Sequence, residues 1–275
     1  MTEQEQKTAR PSLGPRLLAL AELCGSGRLI IDVGCDHALL PVHLLQEDRF
    51  DAALAIDLNQ GPIDLARDRL RAELAAGELR SDLPDRLTFK MQDGLSGVDL
   101  LPGTCVVIAG IGGLETHKIL EQVRHQTLAG VRFVLAPQRS YAELSYYLLS
   151  RGLQFVQRLV SQEAFTYLLM QAEGPAGEDR HAGLPAGRVL QTIYGFEADP
   201  AGLSAEEYRA FVHRQRRQLV YDLRQAYKGG RQRDPERPVY PAKSVLYRYL
   251  RRPEVLEAAI QGGYTNEDLG HTQTD

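Results

Sequence analysis

A chain of 275 residues, 43% of them hydrophobic, suits one large or two modest domains with a sizeable core. No run approaches the roughly 18 to 20 apolar residues of a membrane span and the opening "MTEQEQKTAR" lacks a secretory pattern. Cys24, Cys35 and Cys105 fit neither a disulfide framework nor a metal knuckle, so a soluble cytoplasmic monomer without metal or membrane association is expected; the net charge of −4 conceals an asymmetry along the chain.

Short runs rich in β-branched and aliphatic residues alternate with segments of helical period across the first 170 residues, the pattern of an α/β domain with a mostly parallel sheet. Five strands are predicted at 28 to 34, 52 to 57, 86 to 92, 105 to 110 and 132 to 137, with helices over 37 to 47, 61 to 76, 113 to 126 and 140 to 150. Pro62 suits the first turn of the second helix, where its missing N–H would find no partner anyway. "LQFVQRLV" and "AFTYLLMQ" then follow with only Ser161, Gln162 and Glu163 between them, too few for a crossover helix, and read as an antiparallel pair. A parallel sheet closed in this way resembles the seven-stranded, Rossmann-like sheet of S-adenosylmethionine-dependent methyltransferases.

Residues 172 to 187 are rich in Gly, Pro and Ala, so 172 to 203 is read as a connector between a domain over 1 to 171 and a helical region over 204 to 275. Ser204 with Glu207 three positions on is a capping-box pattern, opening a helix to about Lys228. Tyr208, Phe211, Val212, Leu219 and Leu223 share one stripe of it, while Arg214, Arg216, Arg217 and Arg224 fall largely elsewhere. After "GGRQRDPERPVYP" a second helical segment follows, interrupted before Pro253, so that a small helical hairpin is expected. Between Arg209 and Arg252 stand 13 Lys/Arg against 3 Asp/Glu, whereas the flanking parts are acidic. Charge segregated in this way points to a polyanionic partner; a merely solvated helix pair is the competing reading. Arg214, Arg216, Arg217, Arg224, Arg231, Arg233, Arg248, Arg251 and Arg252 are candidates for phosphate contacts, with Tyr247 and Tyr249 as possible stacking groups or packing residues.

The chemistry concentrates at strand ends. Asp32 and Gly34 close the first strand, where ligands bind in open α/β sheets. Asp57, followed by Leu58, ends the second strand, where a carboxylate can accept from a ribose diol; Asp93 and Gly94 follow the third, where Asp93 could accept from an adenine amino group. The absence of a G-x-G-x-x-G leaves little provision for a pyrophosphate, which favours adenosine joined to a methionyl sulfonium over NAD. The fourth strand ends in Ala109-Gly110-Ile111-Gly112-Gly113, glycines that let a planar base approach closely, and the fifth ends in Pro137-Gln138, where Gln138 could meet a base edge. Each of these taken singly is as readily a cap or a tight turn.

In this order and spacing, "DVGCDHALLP", Asp93-Gly94-Leu95, "AGIGG" and "LAPQ" resemble the bacterial tRNA (adenine(22)-N1)-methyltransferase family, called TrmK, over roughly residues 12 to 171. The Gly-x-Asp-His-Ala run is the specific part, and the charged helical pair resembles, less sharply, the family's C-terminal coiled-coil region. The resemblance implies a class I methyltransferase fold, S-adenosylmethionine as methyl donor, and methylation of N1 of an adenine in the D-arm of tRNA. Leu39, Ile111, Ala136 and Gln138 stand where that family has Tyr, Met, Gln and Asn.

For such a reaction the N1 lone pair must lie in line with the methyl group, and a paired adenine must first be flipped out. Asp36 is the first candidate catalytic residue, to contact the adenine amino group or balance developing positive charge, and His37 the second, as an orienting hydrogen bonder or proton acceptor. Their competing roles are a helix cap and a loop partner. The rival functions are a methyltransferase acting on another RNA adenine or a small molecule, and a protein that binds S-adenosylmethionine or RNA without turnover.

Overall fold

Each of the five aliphatic runs in the first 140 residues forms a strand in the computed structural model, which describes residues 13–162, 165–174, 185–200, 202–228 and 241–264. The order is α1 (Pro15–Cys24), β1 (Gly27–Val33), α2 (Leu39–Gln46), β2 (Phe50–Asp57), α3 (Gln60–Ala75), the single turn α4 (Leu83–Arg86), β3 (Leu87–Met91) and β4 (Thr104–Ala109). Then come α5 (Gly113–Glu121), β5 (Arg132–Ala136), α6 (Tyr141–Ser150), β6 (Gln154–Gln162) and β7 (Phe165–Glu173). Four helices follow: α7 (Ala186–Ile193), α8 (Ala205–Lys228), α9 (Pro241–Leu250) and α10 (Pro253–Gln261).

The seven strands form one sheet in the order β3-β2-β1-β4-β5-β7-β6, with β7 antiparallel to both neighbours. This is the class I methyltransferase sheet. Strand order reverses between β1 and β4, which pair in parallel from Leu29 with Thr104 to Val33 with Ile108, so their carboxyl ends open a crevice at the switch point. The period of two splits the core across the sheet: Ile30, Cys105 and Val107 face α1, α2 and α3, whereas Ile31, Val33, Val106 and Ile108 face α5 and α6.

Two helices are shorter than their periodicity predicts. Asp36 and Ala38 adopt left-handed backbone, φ 47° and 53°, which delays α2 to Leu39. α5 stops at Glu121 because the next glutamines brace the loop after β3: Gln122 accepts from the Leu95 N–H at 2.6 Å, and Gln126 accepts from the Leu100 N–H while donating to the Val98 carbonyl, both at 2.7 Å.

The stretch expected as a connector carries α7, which buries Leu190 and Ile193 and leads into the fully buried Tyr194; residues 175 to 184 lie outside the described residues. The expected capping box is present, with the Ser204 N–H donating to Glu207 at 2.7 Å and the Glu207 N–H to the Ser204 hydroxyl at 3.2 Å. The C-terminal helices pack on the sheet domain through α6, which turns Leu144 and Leu148 to the sheet and Ala142 and Leu149 to α7, α8 and α9. α8 bridges both layers, with Phe211 in the sheet-side core and Leu219, Leu223 and Ala226 in the helical one.

Candidate active site

Beyond β1 the chain turns through Gly34 (φ 76°), Asp36 and Ala38, three left-handed residues alternating with Cys35 and His37. The Gly34 and Cys35 N–H groups both donate to the Ile56 carbonyl on β2, at 2.9 and 3.0 Å, and the Ala38 N–H donates to the Cys35 carbonyl at 2.7 Å. The turn therefore keeps none of these three amides for a phosphate. A left-handed alanine costs about 1 to 2 kcal/mol, a strain typical of loops whose shape serves a site. The turn projects Asp36 and His37 outward, with side chains 76% and 47% exposed and 3.6 Å between Oδ1 and Nε2. A Cβ at Gly34 would meet nothing within 4 Å, so this glycine answers to its φ and leaves open floor beside it.

That floor belongs to a cleft of about 400 Å³ at the carboxyl ends of β1, β2, β4 and β5. Asp32, Asp36 and Asp57 face it, with Ala109, Gly110 and Gln138 on the far side and Arg16 of α1 closing one wall. Burial pushes the Asp32 carboxyl up to about 7, and the charges of Asp36 and Asp57 push the same way. Burial and the same carboxylates raise the Cys35 thiol to about 12, so it is no nucleophile at neutral pH. A site with three carboxylates and amides already committed repels a pyrophosphate and attracts a ligand that carries positive charge.

Of the residues singled out in the sequence, Asp32, Gly34, Asp36, His37, Asp57, Ala109, Gly110 and Gln138 meet in this cleft. Leu39 and Ile111, where the TrmK family has Tyr and Met, line it too, whereas Leu58, Asp93, Gly94, Gly112, Gly113 and Pro137 lie outside its lining. Leu58 is 64% exposed past the strand end, where the Asp57 carboxylate turns back to accept from the Asn59 N–H at 2.9 Å. Asp93 is exposed on the turn after β3, and Gly94 is needed because a Cβ there would sit 2.6 Å from Gln122 Oε1. Gly113 packs where a Cβ would come within 2.4 Å of the Ser140 carbonyl, Gly112 lies against the Arg139 side chain, and Pro137 is buried. Sequence could not divide the "AGIGG" glycines between a ligand surface and a helix-to-turn contact, because both demand the same missing Cβ.

The family described as "Methyltransferase domain" matches residues 13–170, more than half of the chain. The chain belongs to that family. It is similar, at 24% identity over 151 residues, to the tRNA (adenine(22)-N(1))-methyltransferase of Bacillus subtilis, a match covering 55% of this chain and 60% of that relative's length. The solved structure of the B. subtilis m1A22 tRNA methyltransferase TrmK superposes with a TM-score of 0.61 at 20% identity, covering 94% of this chain and 100% of that one. The structure of M. capricolum TrmK, determined with S-adenosyl-homocysteine, gives 0.54 at 20% identity over 87% and 96% of the two chains.

Outside the methyltransferase sheet, the basic residues separate into groups. Arg214, Arg217 and Arg224 are exposed and share one face of α8 with Tyr221, at spacings of three, four and three. Arg216 lies apart, lining a cavity between α7, α8 and α10. Arg248, on α9, is exposed, and Arg252 lies over the Tyr249 ring at 5.5 Å. Tyr249 is buried against Tyr146 and the Tyr247 hydroxyl donates to Asp222 at 3.4 Å, so both tyrosines serve the helix seam. Arg231 and Arg233 lie outside the described residues.

Two tyrosines touch residues that line the cleft. The Arg16 guanidinium lies 5.1 Å from the Tyr167 ring centroid, and the Tyr141 hydroxyl donates to the Gln138 carbonyl at 3.3 Å. Burial pushes the Tyr141 phenol up, with the Arg214 charge lowering it. Among the described residues no group of three His, Cys, Asp or Glu could hold a metal ion, and no helix is long and apolar enough to cross a membrane.

Proposed function

We propose that this protein is an S-adenosylmethionine-dependent methyltransferase that acts on N1 of an adenine in tRNA, at the D-arm position named for its B. subtilis relative, as a monomer in the cytoplasm. The observation that carries the reading is the acidic cleft at the switch point of a methyltransferase sheet, in a chain whose α8 presents an exposed basic face.

The residues fit that cofactor by the chemistry of their donor set. Asp57 stands where a ribose diol can donate to it, Asp32 offers a carboxylate to a cationic group, and the volume falls in the range of roughly 300 to 1,000 Å³ usual for small-molecule sites. When bound, S-adenosylmethionine supplies an electrophilic methyl on a cationic sulfur. Asp36, exposed at the cleft that Gln138 and Gly110 also line, accepts from the adenine amino group and balances the positive charge that N1 acquires on methylation. His37 orients Asp36 across their 3.6 Å separation or accepts the departing proton. Arg214, Arg217 and Arg224 hold the tRNA backbone, which helps offset the cost of flipping the base.

The test is incubation of the purified protein with labelled S-adenosylmethionine and unmodified bulk tRNA, followed by nucleoside mass spectrometry. Labelled 1-methyladenosine is the expected product. A different methylated nucleoside would defeat the target assignment, and cofactor binding without transfer would favour a protein that binds without turnover.

A further inference from the structure

The proposed reaction leaves one conspicuous side chain without a role. Phe165, the first residue of β7, is 67% exposed, the highest value among the large apolar side chains described. A lone exposed apolar residue needs no explanation by itself. Its position supplies one. Because β7 runs antiparallel to β5, its first residues stand beyond the carboxyl end of the parallel strands: the register carried past Leu135 sets Tyr167 level with Gln138 and Phe165 two residues further out. Phe165 and Tyr167 are two apart on one strand and so share a face, with ring centroids 6.5 Å apart and planes tilted by 52°. Arg16, which lines the cleft, lies over the Tyr167 ring, so cleft wall, cation, inner ring and outer ring follow one another.

We propose that Phe165 is the stacking platform on which the flipped target base is received at the lip of the cleft, with the Arg16–Tyr167 pair fixing the platform's inner edge. The inference rests on the methyltransferase reading and adds a positioning residue to it. A base leaving its stack loses contact on both faces, and an exposed ring beside the site restores one of them. The ring cannot be serving the core: its neighbour Tyr167 packs against the core under the sheet, while Phe165 projects past it. Sequence leaves this role hidden, since "AFTYLLMQ" reads simply as an apolar strand.

The experiment compares wild type with Phe165→Ala, Phe165→Leu and Phe165→Trp, measuring steady-state methylation of unmodified tRNA, S-adenosylmethionine affinity and thermal melting. Loss of one stacked base predicts a fall in kcat/KM for tRNA of about five- to a hundredfold in Phe165→Ala and Phe165→Leu, with most of the activity retained in Phe165→Trp. Cofactor affinity and melting temperature should stay at wild-type values in all three. Unchanged kcat/KM in Phe165→Ala, or rescue by leucine as complete as by tryptophan, would overturn the platform, as would a parallel loss of cofactor affinity. Wild-type protein that transfers no methyl group to tRNA would defeat the function itself, an outcome distinct from active wild type with indifferent variants.

Discussion

Asp32 is predicted to lower stability at the pH where the protein works, and Asp32→Asn measures by how much. The folded chain holds the Asp32 proton up to about pH 7, whereas the unfolded chain releases it near the ordinary value of 3.8. Between those values the folded state binds the extra proton, so stability falls as pH rises from about 4 to about 7 and then levels off. At about 1.4 kcal/mol per pH unit the full penalty is roughly 4 kcal/mol. Burial is its main cause and the Asp36 and Asp57 charges add to it. Asparagine keeps the shape and removes the charge, so the variant should match wild type near pH 4 and melt roughly 8 °C higher at pH 8, taking about 2 °C per kcal/mol for a chain of this size. The same change should weaken S-adenosylmethionine binding about tenfold or more at pH 8, because a neutral amide cannot attract a cationic group as a carboxylate does. Wild-type cofactor affinity should also rise from pH 6 to 8, and that of the variant should not. Thermal melts and titration calorimetry across this range decide the matter; a melting difference that is the same at pH 5 and pH 8, or a less stable variant at pH 8, would refute the reasoning.

Asp57→Ala removes the proposed ribose acceptor and should weaken cofactor binding by about tenfold or more while changing stability by no more than about 1 kcal/mol, since the side chain's bond to the Asn59 N–H is exposed; calorimetry and melting separate the two effects. Neutralising Arg214, Arg217 and Arg224 together should lower the slope of log affinity for tRNA against log salt by about 2 to 3, whereas Arg216→Gln should leave it unchanged, because Arg216, though exposed, stands on another side of α8, beside the cavity between α7, α8 and α10. Filter binding over a salt series tests this, and an unaltered slope in the triple variant would remove the α8 face from tRNA recognition. Tyr194→Phe deletes a buried donor that lies 2.9 Å from the fully buried Asp222 carboxylate, and should destabilise the fold by about 1 to 3 kcal/mol in urea unfolding. No loss there would mean that Gln218 and Tyr247 suffice for Asp222.

By itself the sequence determined which segments are strands, that they pair in parallel until a closing hairpin, and where α8 begins, because aliphatic runs, helical period and the Ser204–Glu207 cap are local signals. It also placed Asp32, Gly34, Asp36, His37 and Asp57 at the strand ends that form the cleft, since a parallel sheet brings every carboxyl end to one edge. It could not show how each motif's residues divide between ligand and protein. Gly94 and Gly113 are glycines because Gln122 and the Ser140 carbonyl occupy the space a Cβ would need, and those partners come from 27 or more residues away. Nor could it foresee α7 within the expected connector, where Leu190, Ile193 and Tyr194 gain their burial from α6 before them and from helices that follow in the chain. Charge composition made α8 basic, but the fold decided that Arg214, Arg217 and Arg224 share one exposed face while Arg216, also exposed, stands at the cavity between α7, α8 and α10. The contact of Arg16, on the cleft wall, with Tyr167 belongs wholly to the tertiary structure, because α1 and β7 are distant in sequence. Local propensity and periodicity act over a few residues, whereas a binding surface is made by whichever side chains the assembled sheet brings side by side.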